Sequence, residues 1–120
     1  MKSLFVVLTF IALSLIAARP ALAQAEDVCP HDAATVESLR ECVQHASTHG
    51  FIDNAGVTRS LLAKLDAAQA AVDRGQPSLA VNILKAFVQA VEAQSGQHIA
   101  PEHAGRLVEH AQLVIQALGG

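Results

Sequence analysis

Two histidines of this 120-residue chain have a spacing that could hold a metal ion. His45 and His49 are four residues apart, so on a helix both imidazoles would face one side and could bind the same ion. A third ligand would have to come from elsewhere in the chain, and His98 is the candidate. The alternative is that both side chains are solvated near a helix C-terminus, where the helix dipole favours their protonated form.

His103 and His110 form a second pair, seven residues apart. They fall on one flank of a predicted helix, beside its apolar stripe, and we expect water to surround both. The chain contains no GxSxG, no HExxH, no glycine-rich phosphate loop and no Cys-His pairing of the protease type. We therefore expect no catalytic residues, no cofactor and no enzyme activity.

Cys29 and Cys42 are the two cysteines, and their pairing would close a loop of 13 residues. Such a disulfide would contribute about 3 kcal/mol to stability in the chain-entropy model. A bridge needs Cα atoms within about 7 Å, so the helix that carries Cys42 must begin late, near Thr35, or the preceding segment must fold back along it. A redox or metal pair is the alternative, although the spacing is far from C-x-x-C.

Residues 1–23 have the pattern of a cleavable signal peptide. Lys2 precedes an apolar run of about 15 residues that stops before Arg19, and Ala21 and Ala23 are small enough for a signal peptidase. A membrane-spanning helix needs roughly 20 apolar residues, so we expect no span after cleavage; a retained amphipathic anchor is the alternative. The protein is then secreted, to the periplasm or beyond the cell, where disulfides form.

The composition after cleavage excludes some partners. Cleavage removes Lys2 and Arg19 from the 8 basic residues, which leaves 6 against 11 acidic residues and a net charge of −5. With so few basic residues, and with no Trp and no Tyr, we expect no nucleic-acid binding and no stacking platform for sugars. Phe51 and Phe87 are the aromatic anchors that remain.

Four amphipathic helical segments follow a leader, residues 24–34, that contains Cys29. Asp53 and Asn54 suit a helix N-cap, and Pro77 and Pro101 suit a first helical turn. No run alternates with period two, so we predict an all-α fold, a small antiparallel four-helix bundle over residues 35–118. The expected apolar stripes are Val36, Leu39, Val43 and Ala46; Leu61, Leu65, Ala68 and Val72; Ala80, Ile83, Leu84, Phe87 and Val91; and Ala104, Leu107, Val108, Ala111, Val114, Ile115 and Leu118.

The two halves of the bundle resemble each other. Residues 39–44 (LRECVQ) match residues 84–89 (LKAFVQ) at an offset of 45 residues. Gly50 matches Gly96, and Leu61 matches Leu107, at an offset of 46 residues. We interpret the fold as two related helical hairpins. Chance similarity between Ala- and Leu-rich helices is the alternative.

Three blocks of this sequence together resemble the FIMAH domain family. They are residues 50–56 (GFIDNAG), 60–69 (SLLAKLDAAQ) and 84–94 (LKAFVQAVEAQ), followed by Leu107, Val108 and Ala111, and the resemblance covers about residues 36–118. It implies a compact helical module of secreted bacterial and archaeal proteins, with no established catalytic residues. We expect the module to stand alone behind the signal peptide in this protein, with an added cysteine pair.

These observations lead to two hypotheses about function. The first is a secreted, non-catalytic helical interaction module that binds a protein or a cell-envelope component. The second is a periplasmic metal-binding protein that uses His45 and His49.

Overall fold

The computed structural model describes Cys29 and residues 33–120, which form four helices. They are α1 (Val36–Thr48), α2 (Ala55–Asp73), α3 (Pro77–Gln94) and α4 (Pro101–Ala117). The predicted all-α fold is confirmed, and within the described residues pairing outside helices is limited to isolated bridges. The predicted signal peptide, residues 1–23, lies outside the described residues, as does most of the leader.

The starts of the helices follow from local sequence. The side chains of Thr35 and Asn54 cap α1 and α2 by accepting hydrogen bonds from the backbone N–H groups of Ser38, at 3.1 Å, and Val57, at 3.0 Å. Proline stands at the start of α3 and of α4. Its lack of a backbone N–H costs nothing there, because the first N–H groups of a helix have no acceptor within the helix. The late start of α1, at Val36, is the start that a Cys29–Cys42 bridge requires.

The helices pack side by side in a closed ring. α2 contacts α1 and α3, and α4 contacts α3 and α1. The connections between consecutive helices are short, so neighbouring helices run antiparallel. Within the described range, none of the four helices is long and apolar enough to cross a membrane.

Two of the interhelical loops, residues 49–54 and 95–100, meet at one end of the bundle, which we call the loop end. The backbone N–H of Asp53 donates to the carbonyl of His98 at 3.0 Å, and that of Ala100 donates to the carbonyl of Phe51 at 2.9 Å. Ile52 and Ile99 are buried between these two bonds. The two hairpins, α1–α2 and α3–α4, are therefore joined by backbone hydrogen bonds as well as by side-chain packing.

The core surrounds Phe87, whose side chain has no exposure to solvent. Every residue of the α1 stripe is buried, as predicted. The stripes of α2, α3 and α4 differ slightly from the prediction. Ala71 and Val81 are buried outside the predicted stripes. Four residues of the predicted stripes are partly exposed: Val72, Ile83, Val108 and Leu118. Each helix packs against two neighbours, so its buried face is broader than one apolar stripe and is rotated from it.

The burial pattern repeats between the second helices of the two hairpins. Buried residues recur 46 positions apart, as Leu61 and Leu107, Leu65 and Ala111, and Ala68 and Val114. Gly50 and Gly96 show the same relationship, with φ angles of 80° and 81° where the chain turns out of α1 and α3. This agreement supports the interpretation as two related hairpins.

Candidate functional site

Four aromatic rings gather at the loop end of the bundle. His45 and His49 stand one turn apart at the end of α1, with ring centroids 4.3 Å apart and planes inclined by 40°. Phe51, in the next loop, stacks on His103 of α4 with centroids 3.6 Å apart and planes inclined by 14°. We call His45, His49, Phe51 and His103 the ring cluster.

The backbone around Phe51 explains why its ring reaches α4. After Gly50 turns the chain, the N–H of Phe51 donates to the carbonyl of Ala46 at 2.8 Å. The carbonyl of Phe51 accepts the bond from Ala100, the residue that precedes α4. Phe51 is thus held from both sides, and its partly exposed ring rests on the first turn of α4 beside His103.

Two ring nitrogen atoms of this cluster are buried. Nε2 of His45 and Nδ1 of His103 have no hydrogen-bond partner among the described residues. Burial lowers the pKa of His103 below its ordinary value of 6.5, and the charge of Arg106 lowers it further. Glu102 opposes this shift, and His45 adds to it slightly. The cluster therefore favours neutral imidazole at His103, with nitrogen atoms that can accept or donate a hydrogen bond.

A small cavity lies beside the ring cluster. The disulfide, His45, His103 and Arg106 line it, and its volume is about 20 Å³. A space of that size holds one water molecule or ion, whereas a small-molecule site takes several hundred Å³. The cavity is therefore too small to hold a small-molecule ligand.

The disulfide predicted from the sequence is present in the structure. Cys29 and Cys42 are bonded, with their Cα atoms 5.1 Å apart. The bond holds Cys29 against the middle of α1, because Cys42 is a buried residue of that helix. The helix begins only after Thr35, its N-cap residue.

The expectation that His110 would be solvated is wrong. Its side chain is 1% exposed, and its Nε2 lies 2.7 Å from Oγ of Ser38 and 3.0 Å from the carbonyl oxygen of Ala33. Oγ of Ser38 in turn donates to the same carbonyl at 2.5 Å. The prediction failed because the leader supplies a partner for His110 that helix periodicity does not reveal. His103 also differs from the prediction, since its ring is partly covered by Phe51.

His45 and His49 lie close together, as their spacing predicts, but the suggested third ligand is elsewhere. Nδ1 of His98 lies 2.9 Å from a carboxylate oxygen of Asp53, and both side chains are exposed. Among the described residues, a group of three potential metal ligands forms instead from Cys29, Cys42 and His110. This arrangement does not favour a metal ion at His45 and His49.

The fold, the disulfide and the ring cluster together define a small helical module with an anchored leader. The family model of the FIMAH domain matches residues 36–116, from the start of α1 almost to the end of α4. The chain belongs to the FIMAH domain family. Comparison with curated proteins gives no match, and neither does comparison with solved structures.

Proposed function

We propose that the mature chain is a secreted, non-catalytic module that binds a protein or cell-envelope partner through the ring cluster. The observation that carries this proposal is the stack of Phe51 on His103 at an accessible end of the bundle. A rigid aromatic side chain that is part exposed and part packed is typical of the anchors of protein interfaces. Family membership supports the proposal at the level of the whole module.

The chemistry of the cluster favours binding over catalysis. A histidine that acts as a general base needs the group it activates within hydrogen-bond distance. In the described part of the chain, Nε2 of His45 and Nδ1 of His103 contact no hydroxyl, thiol or carboxylate. The part of the cluster that a partner can reach is therefore a surface for contact, formed by the exposed His49 and the partly exposed ring of Phe51.

The charges around the cluster indicate what such a partner offers. Arg106, at the cavity rim, is exposed and carries a positive charge within reach of an incoming group. A carboxylate of the partner would approach Arg106 while an apolar side chain covers Phe51. The partner is therefore a surface on which an acidic group flanks an apolar one.

Secretion is the second part of the proposal. The residues at 1–23 have the charge, apolar run and small residues of a signal peptide, and a Cys29–Cys42 disulfide is compatible with an oxidising compartment. Expression of the full chain in a bacterial host tests this part. We expect the exported protein to begin at Gln24 and to carry no free thiol. Protein that stays in the cytoplasm at full length would contradict it.

Site-specific photo-crosslinking tests the binding surface. A photoreactive residue replaces His49 in the ring cluster or, as matched control, Ser78 at the other end of the bundle; both positions are exposed. We expect a reproducible adduct in the periplasm or culture medium from position 49 but not from 78, and its loss when Phe51→Ala is added. No adduct, or equal adducts from both positions, would overturn the proposal.

A further inference from the structure

The disulfide and His110 bring three metal-ligating atoms together inside the bundle. Ligand atoms of Cys29, Cys42 and His110 all lie within 4.8 Å of one another, and Nδ1 of His110 is 3.5 Å from Sγ of Cys42. Cys42 and His110 are buried, and Cys29 is partly buried. Thiolates and imidazole are the ligands that proteins use for zinc.

The hydrogen bonds around His110 orient its ring for this task. The hydroxyl proton of Ser38 goes to the carbonyl of Ala33, so Nε2 of His110, which faces both oxygens, is the donor. The proton then sits on Nε2, and the lone pair sits on Nδ1, facing the sulfur of Cys42. A histidine that donates one N–H to a backbone carbonyl while its other nitrogen faces the metal is the usual arrangement around a protein-bound ion.

We propose that the reduced form of this chain binds one Zn²⁺ ion through Cys29, Cys42 and His110, and that oxidation to the disulfide releases it. Two thiolates carry two negative charges, which neutralise Zn²⁺ in a buried position. Two sulfurs bound to zinc stand roughly 3.8 Å apart, so the two cysteine side chains must move apart once the disulfide is reduced. Water fills the fourth position, as in zinc sites with two cysteines and one histidine.

The cavity beside the disulfide has room for that water. It borders Cys29 and Cys42, and its volume of about 20 Å³ is enough for one molecule. His45 lines the same cavity and has a buried, unpaired Nε2 that can bond the water.

Reduction of the disulfide and binding of zinc are two separate steps. A dithiol supplies two electrons, becomes a disulfide itself and leaves Cys29 and Cys42 as thiols; binding of Zn²⁺ then releases the two thiol protons. In the reverse direction, the two thiolates pass two electrons to a second disulfide, which becomes a dithiolate and takes up two protons to give the dithiol; the Cys29–Cys42 bond forms and the ion leaves. The disulfide and the zinc ion are thus alternative occupants of one site.

Zinc titration of the mature chain tests the proposal. The chain is reduced with a phosphine, which takes up one water molecule and becomes the phosphine oxide, and Zn²⁺ alone is then added in a calorimeter. We expect one ion per reduced chain and at least about 100-fold weaker binding by the oxidised chain. Co²⁺ in place of Zn²⁺ gives a thiolate charge-transfer band that identifies sulfur ligands. A reduced chain that takes up no zinc would overturn the proposal.

Variants then locate the ion. His110→Gln keeps an N–H donor near the Ala33 carbonyl but has no nitrogen at the Nδ1 position, and we expect binding to weaken at least about 10-fold. Ser38→Ala keeps all three ligands and should weaken binding about 10-fold. His49→Ala removes a ring-cluster histidine that does not line the cavity, and it should leave the affinity unchanged. Unchanged affinity in His110→Gln, or loss of binding in His49→Ala, would show that the ion sits elsewhere.

Circular dichroism covers the case in which the reduced chain unfolds. If it does, zinc should restore the helical signal of the unaltered chain and fail to restore that of His110→Gln. Zinc that binds without a gain in helical signal would mean that the unfolded thiols hold it, and this result would also overturn the proposal.

Discussion

Ser38 of α1 and His110 of α4 meet inside the bundle, with Oγ and Nε2 2.7 Å apart. They are the two polar residues buried within the described range, and the carbonyl of Ala33 joins them. The contact links the first helix, the last helix and the leader at one point. Since α1 and α4 close the ring of helices, the stability of the fold depends on this point.

Replacement of His110 should therefore be costly. His110→Ala leaves a cavity and removes hydrogen bonds from Ser38 and Ala33, and we expect it to lower the free energy of unfolding by about 2–4 kcal/mol. The matched control is His49→Ala, an exposed change that should stay within about 0.5 kcal/mol of the unaltered protein. Urea denaturation at neutral pH measures both. Equal stabilities of the two variants would contradict the role given to His110.

Loss of the disulfide should also destabilise the bundle. The bond closes a loop of 13 residues, and its removal by Cys29→Ser with Cys42→Ser should cost about 3 kcal/mol. In a domain of this size that lowers Tm by roughly 10 °C or more, as a thermal scan would record. A metal-free scan with reductant should give the same shift in the unaltered protein and none in the double variant. An unchanged Tm on reduction would show that the bond does not stabilise the fold.

Two glycines should respond in opposite directions to alanine. Gly96 has φ of 81°, so Gly96→Ala strains the loop after α3 and should cost about 1–2 kcal/mol. Gly105 lies inside α4 with open space around the position of a Cβ atom, and Gly105→Ala should raise stability by about 0.5–1 kcal/mol. Denaturant midpoints of the two variants give the comparison. Shifts of the same sign would contradict these backbone assignments.

Stability should fall in mild acid because of His103. Its pKa in the folded protein lies below 6.5, chiefly through burial, so the unfolded chain takes up the proton first as the pH falls. Above about pH 6.5, His103 is neutral in both states and does not reduce the free energy of unfolding. As the pH drops below that value toward the folded pKa, the free energy of unfolding decreases. Unfolding free energies at about pH 7.5 and about pH 5.5 measure the loss. His103→Gln should show a smaller loss, whereas the exposed, non-titrating change Gln97→Asn should keep the full one; equal losses in both would contradict the prediction.

The sequence was sufficient for the helices because their signals are local. Asn54, Pro77 and Pro101 mark three starts, and the glycines after α1, α2 and α3 mark the ends. The disulfide could be predicted as well, because the chain has two cysteines and a pattern typical of export to an oxidising compartment. The pairing in turn required a late start of α1.

The contacts of the histidines could not be predicted in the same way. His110 stands beside the apolar stripe of α4, and its polar contacts are with Ser38 of α1 and with Ala33, which precedes the first helix. The stack of Phe51 on His103 depends on how the two loops meet, over 52 residues of sequence. His110 lies three residues after Leu107 and four before Val114, and both of these residues are buried. This spacing was the sequence signal that His110 belongs to the buried face of α4.

The two backbone hydrogen bonds between the loops allow docking of the hairpins to be followed through the amide protons of Asp53 and Ala100. Each hairpin can form from contacts close in sequence, but the amides of Asp53 and Ala100 are protected only when both hairpins are docked. Hydrogen exchange at these two positions therefore separates docking of the hairpins from formation of the helices. If the hairpins fold first and dock later, protection at Asp53 and Ala100 appears after protection in the middle of α2 and α3.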